Sequence, residues 1–319
     1  MKKKPIIIAA SAIAAFLLTV GAAANAVGPY FGMWLLPPST EKYGKVAVGI
    51  MEQQGLYASG EEWEAAKAAA EEKMKSAGSI EELYTSLEEL IKQAGGKHSR
   101  FIRPDEVKEY ESIPAQMPEI TEEEGGVIRI RLPEFSGTKE EASAYADPVV
   151  DYLDTHRDIN GVIIDLRGNN GGDMAPMIGA VSPLLPDGDL MYFSGPKVSV
   201  PVKLSNGTLK AGGGIKVKDV KCDTKPVALL TDEKTASSGE ATLLCFRGLD
   251  NTRTFGAPTA GYASANILIS MYDHAELMLT VSEDKARTGE LFCDDPIEPD
   301  VTTDTPLEDA LEWIAGYNK

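Results

Sequence analysis

The stretch Val162-Ile163-Ile164-Asp165-Leu166-Arg167-Gly168-Asn169-Asn170-Gly171-Gly172-Asp173 governs how the rest of the chain is read. Its first five residues are apolar without alternation, broken only by Asp165, and predict a strand over Val162–Leu166 covered on both faces, as in a parallel sheet. The glycines that follow predict a loop between that strand and a helix. A second copy of the arrangement lies downstream: an apolar strand Val227–Thr231, the turn Thr235-Ala236-Ser237-Ser238-Gly239-Glu240, and a helix Ala241–Leu249. Both loops then sit at the carboxyl ends of strands, where helix N-termini present unpaired N–H groups and a positive dipole end. The fold class is α/β.

Working outward, Val127–Leu132 reads as a further strand and Lys139–Thr155 as a helix. Beyond the second loop come a strand Thr252–Phe255, the loop Ala257–Tyr262 and a hairpin from Ile267 to Val281 turning at Asp273-His274. A closing helix is capped by Thr305 with Pro306 at its first position. Towards the N-terminus the periodicity becomes helical. Ser59–Met74 carries Trp63 as core anchor, and Ser79–Ala94 opens on a capping box and stops at Gly95-Gly96. An acidic, proline-containing connection, 104–124, joins the two patterns. The expected organisation is an export signal or membrane anchor plus linker over 1–38, a helical cap over 39–104 and an α/β core over 105–319.

The 319 residues are 43% hydrophobic and 25% charged, the proportions of a chain that buries a core. Thirty-one basic against 49 acidic residues give a net charge of −18, which repels polyanions and sets nucleic acid aside as a partner. Lys2-Lys3-Lys4, the apolar run from Ile6 and the small residues Ala24-Asn25-Ala26 form an export signal. The run is also long enough, from Ile6 to Ala26, to remain as a membrane anchor, so secretion and anchoring both stand, and the domain is expected to be extracytoplasmic. Cys222, Cys245 and Cys293 allow one disulfide and require none. The three histidines, His98, His156 and His274, have no ligand-spaced partners, so neither a metal nor an organic cofactor is expected.

A serine at a strand-to-helix turn projects its hydroxyl, and the next backbone N–H is placed to stabilise an oxyanion. Ser237 and Ser238 occupy such a turn. Glycines 171 and 172 let the backbone approach a substrate carbonyl and supply a second N–H. Taken singly, the serine turn reads first as a helix cap and the glycine loop as a tight turn.

In combination these segments resemble the tail-specific or C-terminal processing protease family, which includes tricorn-type proteases and the retinoid-binding-protein modules. The resemblance is carried by Val162 to Gly172, by Thr235 to Glu240, by Gly256-Ala257-Pro258-Thr259-Ala260-Gly261, by Ile297-Glu298-Pro299-Asp300-Val301 and by Gly96-Lys97-His98-Ser99. It implies a crotonase-like βαβ superhelical core behind the helical cap and serine hydrolysis of peptide bonds in polypeptides or peptide tails. Ser237 falls on the family nucleophile, with an oxyanion hole from the N–H groups of Ser238 and of Gly171 or Gly172. Where the processing proteases place a lysine base this chain has Tyr262, so the histidine-using, tricorn-like branch fits better and implies His98 as general base. Ser99, Glu240 and Asp294 qualify by type as the group orienting His98, as do Asp295 and Glu298. Lys234 is a reserve base. The peptide-binding PDZ domain of many relatives has no room between the cap and the core. The alternative function is a non-catalytic ligand- or peptide-binding module on the same fold.

Overall fold

The computed structural model describes residues 24–196, 198–210 and 213–317. Residues 1–23, which carry most of the expected export signal or anchor, lie outside that range. Among the described residues no helix is long and apolar enough to cross a membrane. The described residues divide into two compact units, one of residues 24–110 with 266–281, the other drawn from 111–265 with 282–317. The sequence reading places 266–281 in the core; its contacts group it with the helical unit instead.

The larger unit is built on a six-stranded sheet, in the order Val301–Thr302, Thr252–Gly256, Val227–Thr231, Gly161–Asp165, Val127–Arg131, Glu119–Glu123. All neighbours are parallel except the last pair. The apolar run of Gly161–Asp165 is explained by its two covered faces. Val162 and Ile164 pack with Val227, Leu229, Tyr145 and Met177 in one cluster. Ile163 packs with Ala228, Leu230 and the closing-helix residues Ala310 and Ile314 in another. Burial of a side chain of this size is worth about 1.5–3 kcal/mol. Val162 pairs with Val227 and Asp165 with Leu230, so the loops following these two strands leave the sheet at one edge.

The helix Lys139–Thr155 has the predicted bounds and is opened by a capping box between Thr138 and Glu141. The closing helix, Pro306–Tyr317, also starts where predicted. An antiparallel set, Gly188–Ser194, Ser199–Ser205, Thr208–Lys210 and Ile215–Lys216, with residues 283–286 beside Gly188–Ser194, was not legible from pattern. Nor was the strand Glu119–Glu123, whose acidic residues suggested a connection.

The smaller unit packs the helices Thr40–Gln54, Gly60–Met74 and Tyr84–Gly95 through Tyr43, Ile50, Trp63, Leu87, Leu90 and Ile91. Its strand Arg100–Ile102 pairs antiparallel with Glu276–Met278. Trp63 is buried as the core anchor, 2% exposed. The capping box expected at Ser79 does not form. Glu82 reaches back to the N–H of Gly78 at 2.9 Å, a 3-10 turn spans Glu81–Leu83, and the α-helix begins at Tyr84. Its stop is as read: Gly96 has φ +78°. A further helix, Pro104–Ser112, begins inside what the sequence presented as linker.

Candidate active site

Ser237 leads the helix Ser238–Phe246 and holds φ +52°, ψ −115°, a backbone state that side-chain-bearing residues avoid. The helix begins at Ser238 and not, as the apolar pattern suggested, at Ala241. Ser238 is therefore its first residue, and an N–H at that position has no partner within the helix. Glu240, fully buried, fastens the turn. Its carboxylate accepts the N–H of Ser237 at 2.8 Å, of Gly261 at 2.9 Å and of Tyr262 at 2.8 Å, and the hydroxyl of Thr259. Burial, opposed by these donors, holds its pKa above the ordinary carboxylate range. The acid that caps the Ser237 turn thus also ties down the loop carrying Tyr262.

The glycine loop is joined to the same turn. Asn169, fully buried, accepts the N–H of Gly171 at 2.9 Å on its side chain and the N–H of Ala236 at 2.9 Å on its carbonyl. Its amide donates to the Leu132 carbonyl at 2.8 Å. Thr235 donates its hydroxyl to the Leu166 carbonyl at 2.9 Å, and the Ser238 hydroxyl donates to the Gly172 carbonyl. Gly171 and Gly172 have φ +110° and +99°. A Cβ on Gly171 would lie 2.7 Å from that of Ser237. The Gly171 N–H is taken up by Asn169, and Gly172 beside it is exposed.

His98 and Ser99 belong to the helical unit. Ser99 is fully buried, and its hydroxyl accepts the N–H of Thr280 at 2.9 Å and donates to Thr280 Oγ1 at 3.1 Å. Thr280 in turn donates to Asn266 Oδ1 at 2.7 Å. Gly95 has no room for a Cβ beside the Ser99 hydroxyl, so the glycine pair both stops the helix and admits this serine. His98 is 8% exposed, and burial with the charges of Lys92 and Lys97 lowers its pKa to about 4, leaving the imidazole neutral at pH 7.

Of the other candidates, Asp294 and Asp295 bring their backbone against Gly261, where a Cβ would fall 2.8 Å from each. Asp294, in the larger unit, has a buried carboxylate oxygen with no hydrogen-bond partner among the described residues. Asp295, Glu298 and Lys234 are exposed. His156 stacks on Tyr152 with ring centres 3.9 Å apart, and His274 occupies a turn at φ +70°. All three cysteines are free.

Residues 126–303 match the model of peptidase family S41, more than half of the chain and the whole of both site loops. The chain belongs to peptidase family S41. As a member of S41 it is a serine peptidase with the α/β fold of that family. It is 40% identical over 295 residues to the nisin-resistance protein of Lactococcus lactis subsp. lactis, covering 92% of each chain. A solved lipoprotein from Streptococcus agalactiae is 32% identical, with a TM-score of 0.81 over 89% of this chain and 99% of that one. The photosystem II D1 C-terminal processing protease shares the S41 fold at 14% identity, with a TM-score of 0.58 over 84% of this chain and 94% of its own.

Two residues of the S41 site region escaped the sequence reading. Asn169 is one of two adjacent asparagines in the sequence, and the Asn-Asn-Gly-Gly string marks a turn in which an asparagine side chain commonly accepts a backbone N–H. Asp284 is 2% exposed, one carboxylate oxygen has no partner among the described residues, and burial with the nearby Glu240 charge raises its pKa well above 3.8. An acid alternating with lysine and glutamate in a strand gave no signal of burial.

Proposed function

We propose that Ser237 is the nucleophile of this serine peptidase, His98 its general base, and the N–H groups of Ser238 and Gly172 its oxyanion hole. The observation that carries the reading is the Ser237 turn: a strained serine at a helix N-terminus, with the Glu240 carboxylate on its own N–H and the glycine loop bonded beside it. Ser237 Oγ attacks the substrate carbonyl carbon while His98 accepts its proton, and the oxyanion is held by the two N–H groups. Collapse expels the amine, which takes the proton from His98, and water repeats the sequence on the acyl-enzyme. Tyr262 standing where a lysine base would be supports the choice of a histidine, as does the neutrality of His98 at pH 7.

The substrate we propose is a peptide of the nisin kind, met outside the cytoplasm. The support is the 40% identity to a protein named for nisin resistance, and a net charge of −18, which favours peptides of positive or low charge. The Lys2–Lys4 start and the apolar run to Ala26 support export, and the similarity to a solved lipoprotein supports retention at a membrane, for which the uncleaved run would serve as anchor. Incubation with nisin and mass analysis of the products tests the substrate. New fragments are expected with the wild type and none with Ser237→Ala; equal cleavage by both would overturn the assignment of Ser237.

A further inference from the structure

The N-terminal part of the helical unit exposes apolar side chains that its own fold does not use. Phe31, Met33, Leu35 and Leu36 are 68%, 61%, 58% and 59% exposed. The segment bearing them is nevertheless held in place. Trp34 stacks on Tyr43 with ring centres 6.1 Å apart, packs edge-on against Tyr272 and donates its indole N–H to the Ser270 carbonyl at 3.3 Å. Gly32 lies against Ser270 as well, where a Cβ would come within 3.3 Å of that carbonyl. The strand Ser264–Ser270 also carries Leu268, two residues from Ser270 and so on one face with it, and 59% exposed. Tyr272 beyond it is 39% exposed. Two segments more than two hundred residues apart in sequence thus form one apolar surface.

The two segments are themselves uncharged. From Pro5 to Thr40, and again from Ala263 to Tyr272, there is no acidic or basic residue, in a chain that is 25% charged. Apolar patches of this kind mark contact surfaces, and flanking Trp and Tyr suit the boundary between hydrocarbon and water. What covers the patch is indicated by the chain that leads into it. The apolar run from Ile6 ends at Ala26, directly before the patch begins, so a run held in a bilayer delivers these residues to its surface. A second copy of a chain carrying −18 would meet its own repulsion, which a neutral lipid surface does not present.

We propose that Phe31, Met33, Leu35, Leu36, Leu268 and Tyr272 form a lipid-seating face, by which the helical unit inserts into the outer boundary of a neutral bilayer. The inference rests on the membrane reading given above, and goes beyond it in assigning folded surface, not only the N-terminal run, to the lipid.

Leu268 decides the matter, because its place at the bilayer depends on the folded face and not on chain continuity with the anchor. The full-length chain, with Cys293→Ser to leave only the buried Cys222 and Cys245, is labelled with an environment-sensitive fluorophore at Leu268→Cys and reconstituted in phosphatidylcholine vesicles with or without nitroxide-bearing lipid. Side chains seated about 5–10 Å into the interface are reached by such quenchers, so emission should fall at least about two-fold. A label at Glu62→Cys should be unaffected, and Phe31→Ser/Leu35→Ser/Leu36→Ser should abolish the quenching at 268 while the protein still floats with the vesicles. Flotation without quenching at 268 would overturn the seating face and leave the anchor standing. Failure to float would remove the membrane reading and this inference together. A label at 268 that shifts only with protein concentration would assign the face to a second copy and overturn the proposal.

Discussion

Substituting alanine for Gly171 should disable the proposed nucleophile, Ser237, with little more harm to the fold than the same change three residues earlier. Gly168 and Gly171 sit in one loop at φ +73° and +110°. For either, the unfavourable backbone costs about 1–3 kcal/mol. They differ in what the new methyl group meets. At Gly168 nothing lies within 4 Å. At Gly171 the Cβ falls 2.7 Å from Ser237 Cβ, 3.2 Å from Ser237 Oγ and 3.2 Å from the Ala236 carbonyl. Carbon atoms in contact prefer about 3.5–4.0 Å, so the Ser237 turn must move by roughly 1 Å, a displacement that costs on the order of 100-fold in rate. The assay is the second-order rate of inactivation by a fluorophosphonate, which needs no knowledge of the substrate, set beside thermal unfolding. Gly168→Ala should lower Tm by several degrees and leave the inactivation rate within a few-fold of wild type. Gly171→Ala should lower Tm somewhat more and the rate by about 100-fold. Equal inactivation rates in a folded Gly171→Ala would refute the packing of the glycine loop against Ser237 as the basis of reactivity.

Three further outcomes are expected. Glu240→Gln turns an amide N–H₂ towards two of the four donors its carboxylate now accepts, so stability should fall by about 2–4 kcal/mol in denaturant unfolding, with inactivation slowed as well. Asp284 has a folded pKa raised above its unfolded value, so the folded protein holds the extra proton and loses stability as pH rises from about 4 towards that folded pKa. Asp284→Asn should therefore gain in Tm over wild type as pH increases from 4 to 8, and a gain that shrinks with pH would contradict the assignment. His98 is shifted the other way, from 6.5 to about 4, so its contribution to stability is present above 6.5 and fades as pH falls through 4. The acidic limb of the inactivation-rate profile should have its midpoint at about 4; a midpoint near 6.5 would place the base elsewhere.

The two strand-loop-helix units were legible because each is local. An unalternating apolar run, a glycine string and a serine turn occupy consecutive residues, and the parallel register then sets both loops on one sheet edge. What sequence did not disclose depends on packing between distant segments. Glu240 reads as one acid among 49, and only the fold shows it gathering N–H groups from Ser237, Gly261 and Tyr262. The N–H of Gly171 and that of Gly172 were equivalent candidates until Asn169 was found to hold the first. The hairpin at 266–281 follows the core in sequence and contributes Leu277 and Leu279 to the helical unit's core. Between Gly188 and Lys216 the strands are short, and the alternation of Val200, Val202 and Leu204 in Ser199–Ser205 is interrupted by Pro201, a residue that argues against a strand interior.

Fluorophosphonate labelling of the wild type, Ser237→Ala and His98→Ala, with the modified peptide located by mass spectrometry, tests the assignment of the nucleophile and its base most directly. The label is expected on Ser237 alone, absent from Ser237→Ala and slowed by about 100-fold or more in His98→Ala. Labelling at another serine, or a rate at Ser237 indifferent to His98, would contradict it.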